Sequence, residues 1–391
     1  MLFMSINNMM YYKRELDIRS YPSSLFLLGP RQVGKTYLIN QLNVAAYYDL
    51  LDAQLEMDFR LRPQLFWGEI ASLKPGSQVV VDEIQKVPSL LNYVQMGIEK
   101  KQLQFFLSGS SARKLKKGKA NLLGGRAIDF KLHPLTKKEL GAHFNIEQVL
   151  SYGSLPFIST LVAKKQENLA KDHLRSYVTT YLKEEVKAEA LVRQLGSFQR
   201  FLEVAGQCNA QMIQFSNISR ECSVPASTVK EYYSVLEDTL IGYFLWPFAH
   251  SERKKARPKF YFFDCGVVRA LQRRLSGSPS PEELGILFET NLANELIRIK
   301  DYTRSDYQIS LWRLGKWEID FLIELDGEPV MAIECKTSLQ IKNKNSIKAF
   351  RENFPGVPLI ICSLQEERTR KLDDNLWIES LAKTIERYRE L

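Results

Sequence analysis

Cysteine and histidine are scarce in this chain, and that scarcity narrows the kinds of site it can hold. The 391 residues include five cysteines and four histidines. The cysteines are scattered and no two form a C-x-x-C pair, which argues against a zinc ribbon and against the disulfide framework of small secreted domains. We therefore expect a reducing, cytoplasmic location.

Long hydrophobic runs are missing as well. The stretch LIGYFLWPF (Leu240–Phe248) is strongly apolar, but it falls well short of the roughly 20 residues that a membrane-spanning helix needs, and we predict a buried strand there. The N-terminal residues lack the basic start, the apolar segment and the cleavage site of a signal peptide. Neither a membrane partner nor secretion is expected.

Basic residues outnumber acidic ones. Lys and Arg number 54 against 45 Asp and Glu, a formal net charge of +9, which favours anionic partners such as nucleic acid. Basic runs occur at Arg113–Lys119, Arg253–Lys255 and Lys342–Lys348. Each run alone is typical of a solvated surface, but together they predict a surface that could follow a phosphate backbone.

The hydrophobic pattern predicts an α/β chain of three units. Residues 1–150 alternate short apolar strands with helical segments, which is typical of a parallel sheet covered on both faces. Residues 151–250 are mostly helical, and a turn near Val224–Ala226 separates two helices in a helix-turn-helix pattern, followed by strand-like runs that would form a wing. Residues 251–391 begin with a basic hinge, Ser251–Lys259, and continue as a mixed α/β unit.

The segment GPRQVGKT (Gly29–Thr36) fits the P-loop pattern G-x-x-x-x-G-K-[ST]. It follows an apolar strand and opens a helix, which is the context that the motif requires. Its glycines allow backbone N–H groups to face phosphate oxygens, while Lys35 is expected to reach the β- and γ-phosphates and Thr36 to bind Mg²⁺. The residues predicted to contact ATP are Gly29, Pro30, Arg31, Gln32, Val33, Gly34, Lys35, Thr36 and Tyr37.

Polar residues follow the neighbouring predicted strands. In VVVDEIQKVP, Asp82 is placed to hold Mg²⁺ and Glu83 to polarise an attacking water. In FFLSGSSARKL, Ser108 or Ser110 could sense the γ-phosphate, and Ser110 is included in the predicted ATP site. Arg126 in LLGGRAIDF could stabilise charge in the transition state, although a loop arginine on the surface would have the same sequence.

These motifs resemble a known family. LLGPRQVGKTYLI, VVVDEIQKVP, FFLSGSSARKL and GGRAIDFKLHPLTKKEL together are similar to the prokaryotic AAA+ ATPases that carry a C-terminal domain of long-unknown function. Downstream, STVKEYYSVLEDTLIGYFLWPF, PKFYFFDCGVVRAL and LGILFETNLANEL are similar to that C-terminal part, so the resemblance covers nearly the whole chain. It implies a P-loop AAA+ domain, then a helical winged-helix region, and then a restriction-endonuclease-like fold.

The C-terminal unit carries a second group of chemically notable residues. Asp320 lies on one predicted strand, and a turn near Asp326–Gly327 leads to a second strand with Glu334 and Lys336 on one face. With Glu289 from the preceding helix, these acids would hold Mg²⁺ or Mn²⁺, and Lys336 would orient water or neutralise the transition state. The spacing resembles the PD-(D/E)xK nuclease core, in which Glu289 would be the helical glutamate.

The combined expectation is an ATP-hydrolysing protein that couples its nucleotide state to a metal-dependent nuclease-like domain acting on DNA or RNA, with DNA favoured, and that could form a homo-oligomer. The alternative is a nucleotide-dependent switch or adaptor whose nuclease-like domain only binds a partner. A plain transcription factor is disfavoured by the P-loop. It is also disfavoured by the second helix of the helix-turn-helix, where Lys230 is the lone basic residue.

Overall fold

A computed structural model describes residues 10–110, 123–182, 195–248, 257–338 and 344–391. The basic runs Arg113–Lys119 and Arg253–Lys255 and part of Lys342–Lys348 lie outside the described residues. None of the helices in the described ranges combines the length and hydrophobicity that crossing a bilayer requires.

The N-terminal unit is built on five parallel strands, in the order β2-β3-β4-β1-β5. The strands are β1 Ser24–Leu28, β2 Ala46–Asp49, β3 Gln78–Asp82, β4 Gln104–Gly109 and β5 Ala127–Lys131. The helices are α1 Lys35–Ile39, α2 Ala53–Leu61, α3 Gln64–Ala71 and α4 Leu90–Lys101. The central strands are continuous apolar runs because both faces of the sheet are covered, so the predicted parallel sheet is confirmed.

The register of this sheet decides which residues lie together at the same end of the strands. Leu27 pairs with Ser108 and Val81 pairs with Leu107, so the carboxyl ends of β1, β3 and β4 meet where the P-loop begins. Strand β5 was not predicted, and it pairs with β1 starting at Ala127. Arg126 therefore precedes β5 at the amino-terminal end of the strands, away from the P-loop.

The middle of the chain is helical, as predicted. Its helices are α5 Lys137–Leu140, α6 Ile146–Tyr152, α7 Pro156–Ala163, α8 Glu167–Ser176, α9 Leu195–Gln207, α10 Phe215–Cys222, α11 Ala226–Asp238 and α12 Cys265–Leu271. A π-helical segment, Tyr177–Leu182, continues α8. The predicted break near Val224 separates α10 from α11, and β6 Gly242–Leu245 then pairs antiparallel with β7 Lys259–Phe262.

The C-terminal unit is a mixed six-stranded sheet in the order β12-β13-β11-β10-β9-β8. Its strands are β8 Gln308–Leu314, β9 Trp317–Leu325, β10 Glu328–Lys336, β11 Leu359–Ser363, β12 Arg370–Asp373 and β13 Leu376–Ser380. Its helices are α13 Pro281–Thr303, α14 Lys344–Asn353 and α15 Leu381–Arg389. Asp326 and Gly327 both have positive φ, 53° and 87°, which closes the predicted β9–β10 hairpin in the manner typical of two-residue turns.

One apolar core runs through all three parts of the chain. Leu25 of β1, Phe201 of α9, Tyr233 of α11 and Ile333 of β10 belong to the same buried cluster. The three units are therefore packed against one another through buried side chains, so that a shift of one unit strains its packing against the others.

Helix α13 buries a carboxylate within this packing. Glu295 is 2% exposed. Its Oε1 accepts a hydrogen bond of 2.9 Å from the Lys137 N–H and lies 3.7 Å from Arg298 Nη1, while its Oε2 makes no hydrogen bond. Burial raises the pKa of Glu295 to about 7, against an opposing effect of Arg298.

The raised pKa predicts how Glu295→Gln changes stability with pH. A carboxyl with a folded-state pKa above its unfolded value stabilises the fold below about pH 4.5, and that contribution is lost as the pH rises through about 7. At pH 8, Glu295→Gln should therefore unfold at a higher urea concentration than wild type, with a free energy of unfolding larger by on the order of 2–3 kcal/mol. Near pH 5 the free energies of unfolding of the two proteins should be similar. Urea titrations at both pH values measure this, with the exposed Glu282→Gln on the same helix as the control. A difference that does not change with pH would contradict the assignment.

Candidate nucleotide site and carboxylate cluster

The P-loop lies between β1 and α1 with the backbone geometry that its two glycines permit. A Cβ added to Gly29 would lie 2.3 Å from the carbonyl oxygen of Leu132, so no larger residue fits there. Gly34 has a φ of 98°, in the left-handed region that favours glycine. Both motif glycines are thus required by the path of the loop.

The two side chains that follow Gly34 point toward opposite parts of this site. Lys35 is buried, and its Nζ donates hydrogen bonds to the carbonyl oxygens of Gly29 (2.7 Å) and Pro30 (3.1 Å). The Thr36 hydroxyl donates to Asp82 Oδ2 at 3.0 Å. The ammonium therefore lies against the loop itself, and a phosphate oxygen would take the place of these carbonyl acceptors.

Asp82, at the end of β3, is surrounded by hydroxyl groups. Besides Thr36, Tyr47 donates to Oδ2 at 3.1 Å and Ser108 donates to Oδ1. Burial and the nearby Asp82 raise the pKa of Tyr47, so its hydroxyl stays protonated and remains a donor. A carboxylate and a threonine hydroxyl side by side are the oxygen ligands that Mg²⁺ uses with substrate phosphates.

Glu83 follows Asp82 in a left-handed conformation, with a φ of 59°. Its N–H donates to Ser108 Oγ at 3.2 Å, and its Oε2 accepts from Gln85 Nε2. Gln85 Nε2 also contacts Ser110 Oγ at 3.3 Å. Of the two serines considered, Ser108 contacts Asp82 directly, whereas Ser110 reaches Glu83 only through the Gln85 side chain.

The remaining predicted ATP-site residues are arranged around the loop. Tyr37 makes an edge-to-face contact with Tyr11, with ring centroids 6.3 Å apart. The Arg31 carbonyl accepts a hydrogen bond of 3.3 Å from the Tyr177 hydroxyl, Gln32 is exposed with a φ of 66°, and Val33 is fully buried.

Arg126 is not brought to this site. It lies before β5, at the amino-terminal end of the strands, and its guanidinium pairs with Glu99 on α4 at 2.7 Å. The P-loop lies at the carboxyl end of the strands, so this geometry does not support the prediction that Arg126 acts on the phosphates of its own chain.

An arginine that the sequence did not single out links the P-loop to the C-terminal unit. Arg14 Nη1 donates to the Val33 carbonyl at 2.6 Å, and Nη2 donates to the Tyr302 hydroxyl at 3.0 Å, near the end of α13. Nη2 also donates to the His133 carbonyl (2.7 Å), and Nε donates to Glu139 Oε1 (2.8 Å). The guanidinium is thus fully engaged between the nucleotide loop and the long C-terminal helix.

The predicted C-terminal acids do lie together. The Cys335 N–H donates to Asp320 Oδ2 at 2.9 Å, and the Asp320 N–H donates to Glu334 Oε2 at 3.3 Å, so the two carboxylates face each other across the hairpin. Lys336 Nζ pairs with Glu334 Oε1 at 2.6 Å. Glu289 approaches from α13.

A lysine lies among these acids. Lys259 Nζ is 2.8 Å from Glu289 Oε1, 2.7 Å from Glu318 Oε1 and 3.4 Å from Asp320 Oδ1. The Tyr261 hydroxyl also donates to Glu289 Oε1, at 2.6 Å. Burial would lower the pKa of Lys259, but Tyr261 and the three carboxylates together raise it well above its usual value, so the ammonium stays charged.

The prediction of a metal site formed by Glu289, Asp320 and Glu334 needs correction. Among the described residues, no group of three or more His, Cys, Asp or Glu side chains is arranged to hold a metal ion. The physical reason is that Lys259 already contacts two of the three acids and Lys336 contacts the third. The predicted basic hinge is also wrong at its last residue, because Lys259 starts strand β7 and is 5% exposed.

Several of these contacts are made by residues that belong to none of the sequence motifs. Tyr47 lies in the first half of β2, opposite Val80 of β3, so its contact with Asp82 depends on the pairing of these two strands, which no motif predicts. Arg14, Tyr302, Lys259 and Glu318 meet their partners only through tertiary packing, which spacing within a short segment does not show.

Three family models match the chain in succession. A model described as "AAA domain" matches residues 22–141. Two models, each described as "Domain of unknown function", match residues 143–278 (DUF8612) and 284–382 (DUF4143). The N-terminal unit is therefore an AAA domain, a nucleotide-binding P-loop fold, and two further domains follow it.

Two individual proteins are similar to the chain. Uncharacterized protein MJ1544 of Methanocaldococcus jannaschii is 22% identical over 388 residues, covering 88% of this chain and 82% of that protein. The structure of the Aeropyrum pernix Orc1 protein in complex with DNA overlaps 65% of this chain and 87% of its own, with 12% identity and a TM-score of 0.32.

Proposed function

We propose that this chain is a Mg²⁺-dependent ATPase whose nucleotide state is passed to its C-terminal unit, a nucleotide-dependent switch. The observation that carries the proposal is the pair of hydrogen bonds that Arg14 makes to the P-loop carbonyl of Val33 and to the Tyr302 hydroxyl. One end of this link is the loop that would hold phosphate, and the other is the helix that carries Glu289.

The ATPase chemistry would be divided among the residues at the sheet edge. Lys35 would bind the β- and γ-phosphates, with Thr36 and Asp82 holding Mg²⁺, and Glu83 would orient and polarise the attacking water. Bound Mg²⁺ would neutralise charge on the phosphates. Ser108, hydrogen-bonded to Asp82 and to the Glu83 N–H, would hold these two acids in position.

Helix α13 provides a rigid path for the coupling. Tyr302 and Glu289 are on the same uninterrupted helix, and a rise of 1.5 Å per residue places them about 20 Å apart. Because Arg14 is hydrogen-bonded at every nitrogen, moving Val33 on phosphate binding must either move Tyr302 or break a buried hydrogen bond.

Hydrogen exchange of the C-terminal end of α13 tests the proposal. Mg²⁺–ATP is expected to change the protection of amides near Tyr302 in wild type. Lys35→Ala should lose ATP hydrolysis and this change together, whereas Tyr302→Phe should still bind ATP but show a smaller change. Hydrolysis that persists in Lys35→Ala would overturn the ATP site. Protection that is unaffected by bound ATP would overturn the coupling alone.

Arg126 supports one further element of the proposal. Since it lies at the amino-terminal end of the strands, away from the P-loop of its own chain, it could contact a γ-phosphate only in a neighbouring copy. A homo-oligomer that places this end of one sheet against the P-loop of the next copy would give Arg126 the predicted role. ATP-dependent assembly measured by light scattering would detect such an oligomer.

Cleavage of DNA or RNA by a restriction-endonuclease-like C-terminal domain is the second candidate function. It is favoured by the meeting of Asp320, Glu334 and Lys336 at the end of the hairpin and by the net charge of +9. Purified protein given DNA or RNA with Mg²⁺ or Mn²⁺, with and without ATP, tests it. Cleavage that Asp320→Asn abolishes would establish the nuclease, and intact nucleic acid in every condition would leave the switch.

A further inference from the structure

The carboxylates of the C-terminal unit come from separate elements that meet at one buried cation. Glu289 is on α13, Glu318 and Asp320 are on β9, and Lys259 is the first residue of β7. The Lys259 side chain is 7% exposed, and its Nζ lies within 3.4 Å of an oxygen of each acid. Two of these contacts, to Glu289 and Asp320, are hydrogen bonds that Lys259 donates, and the contact to Glu318 is an ion pair.

We infer that Lys259 takes the position that a divalent cation would take in this cluster, so that the four residues form a lysine-centred ion-pair lock rather than a metal centre. This inference concerns the C-terminal unit and does not depend on the ATP site. It also argues against the second candidate function, since the cluster has no place for the metal that a nuclease of this kind would need.

The geometry makes the lysine and a metal mutually exclusive. Mg²⁺ binds carboxylate oxygens at about 2.0–2.1 Å, and Glu289 Oε1 and Asp320 Oδ1, which such an ion would use, are the atoms that face Lys259 Nζ. The fourth acid, Glu334, is held by Lys336 at 2.6 Å. For a metal to enter, the Lys259 ammonium would have to leave a site where it is buried and where the acids would remain without their cation.

The lock also has a structural role. The partner of Lys259 in the strand pair is Leu245 of β6, next to the helix-turn-helix, while Glu318 and Asp320 belong to the six-stranded sheet. Lys259 therefore ties the middle unit to the C-terminal sheet. Removing one partner of a buried ion pair leaves an uncompensated charge, which is costly, whereas a bound cation could replace it.

Mn²⁺ titrations followed by electron paramagnetic resonance of the free ion test the inference on the full-length protein. Wild type and Asp320→Asn should titrate identically. Lys259→Met should gain a Mn²⁺ site that binds at least tenfold more tightly than any wild-type site other than the P-loop, and Lys259→Met with Asp320→Asn should lose it. Lys259→Arg keeps the positive charge and should gain no site.

Two results would overturn the inference. One is a wild-type Mn²⁺ site that disappears in Asp320→Asn, because the lysine would then not exclude the metal. The other is a folded Lys259→Met that gains no Mn²⁺ site. If Lys259→Met is unfolded without metal, recovery of its circular dichroism spectrum by Mn²⁺ but not by NaCl of equal ionic strength would support the lock, and no recovery would count against it.

Discussion

Glu83→Gln is expected to lower the rate of ATP hydrolysis by about 10²–10⁴-fold while ATP binding is retained. The amide has nearly the size and shape of the carboxylate, so the left-handed turn at residue 83 and the N–H contact to Ser108 should persist. An amide cannot take up a proton from an attacking water, and the chemical step should fail after the substrate is bound. Phosphate release in a single turnover and the binding of a fluorescent ATP analogue measure the two effects separately.

The control for this prediction is Glu99→Gln, the same substitution on α4. Glu99 pairs with Arg126 at the far edge of the sheet, so its loss should leave hydrolysis in the isolated chain within a few-fold of wild type. Equal losses in both variants would point to damage to the domain as a whole. Turnover by Glu83→Gln close to that of wild type would mean that another group positions the water.

The nucleotide site could be predicted from the sequence because its chemistry is carried by short, local patterns. Gly29 and Gly34 lie in the loop between β1 and α1, Lys35 and Thr36 begin α1, and the buried run before Asp82 marks another strand of the same sheet. Parallel strands bring their carboxyl ends to one edge, so the loop and Asp82 had to meet. Arg126 could not be placed in this way, because β5 was not recognised and the residue precedes its strand.

The C-terminal cluster was predictable only in part, for the opposite reason. The hairpin turn at Asp326 and the alternation of β10 place Glu334 near Asp320 from local pattern alone. Lys259 is 61 residues from Asp320 and 30 residues from Glu289 in sequence, and it follows a basic run, which suggested a solvated hinge. The pairing of β7 with β6 is a tertiary contact, and the buried Lys259 supplies the positive charge for which the acids alone suggested a metal ion.

Arg298→Met is expected to destabilise the protein by about 3–5 kcal/mol, the cost of removing a buried charged partner from a satisfied network. Arg298 is 3% exposed. Its Nη1 donates to the Leu135 carbonyl (2.8 Å) and to Ser154 Oγ (3.0 Å), and its Nη2 donates to the Phe263 carbonyl (2.9 Å). These acceptors come from the end of the AAA domain, from the loop after α6 and from the residue that follows β7, so one guanidinium joins three parts of the chain.

Urea denaturation of Arg298→Met measures the loss of stability. Arg313→Met, which replaces an exposed arginine on β8, is the control, with an expected change within about 0.5 kcal/mol.

A double-mutant cycle with Glu295→Gln then separates two causes of this loss. Arg298 Nη1 lies 3.7 Å from Glu295 Oε1, so the single variant Arg298→Met also removes the nearest positive charge from a buried carboxylate. If that charge contributes to the cost at pH 8, Glu295→Gln should stabilise Arg298→Met by more than it stabilises the wild type. If the whole cost comes from the three unpaired acceptors, Glu295→Gln should add the same on the order of 2–3 kcal/mol in both backgrounds. A loss below about 1 kcal/mol in Arg298→Met itself would show that these three segments hold together without the guanidinium.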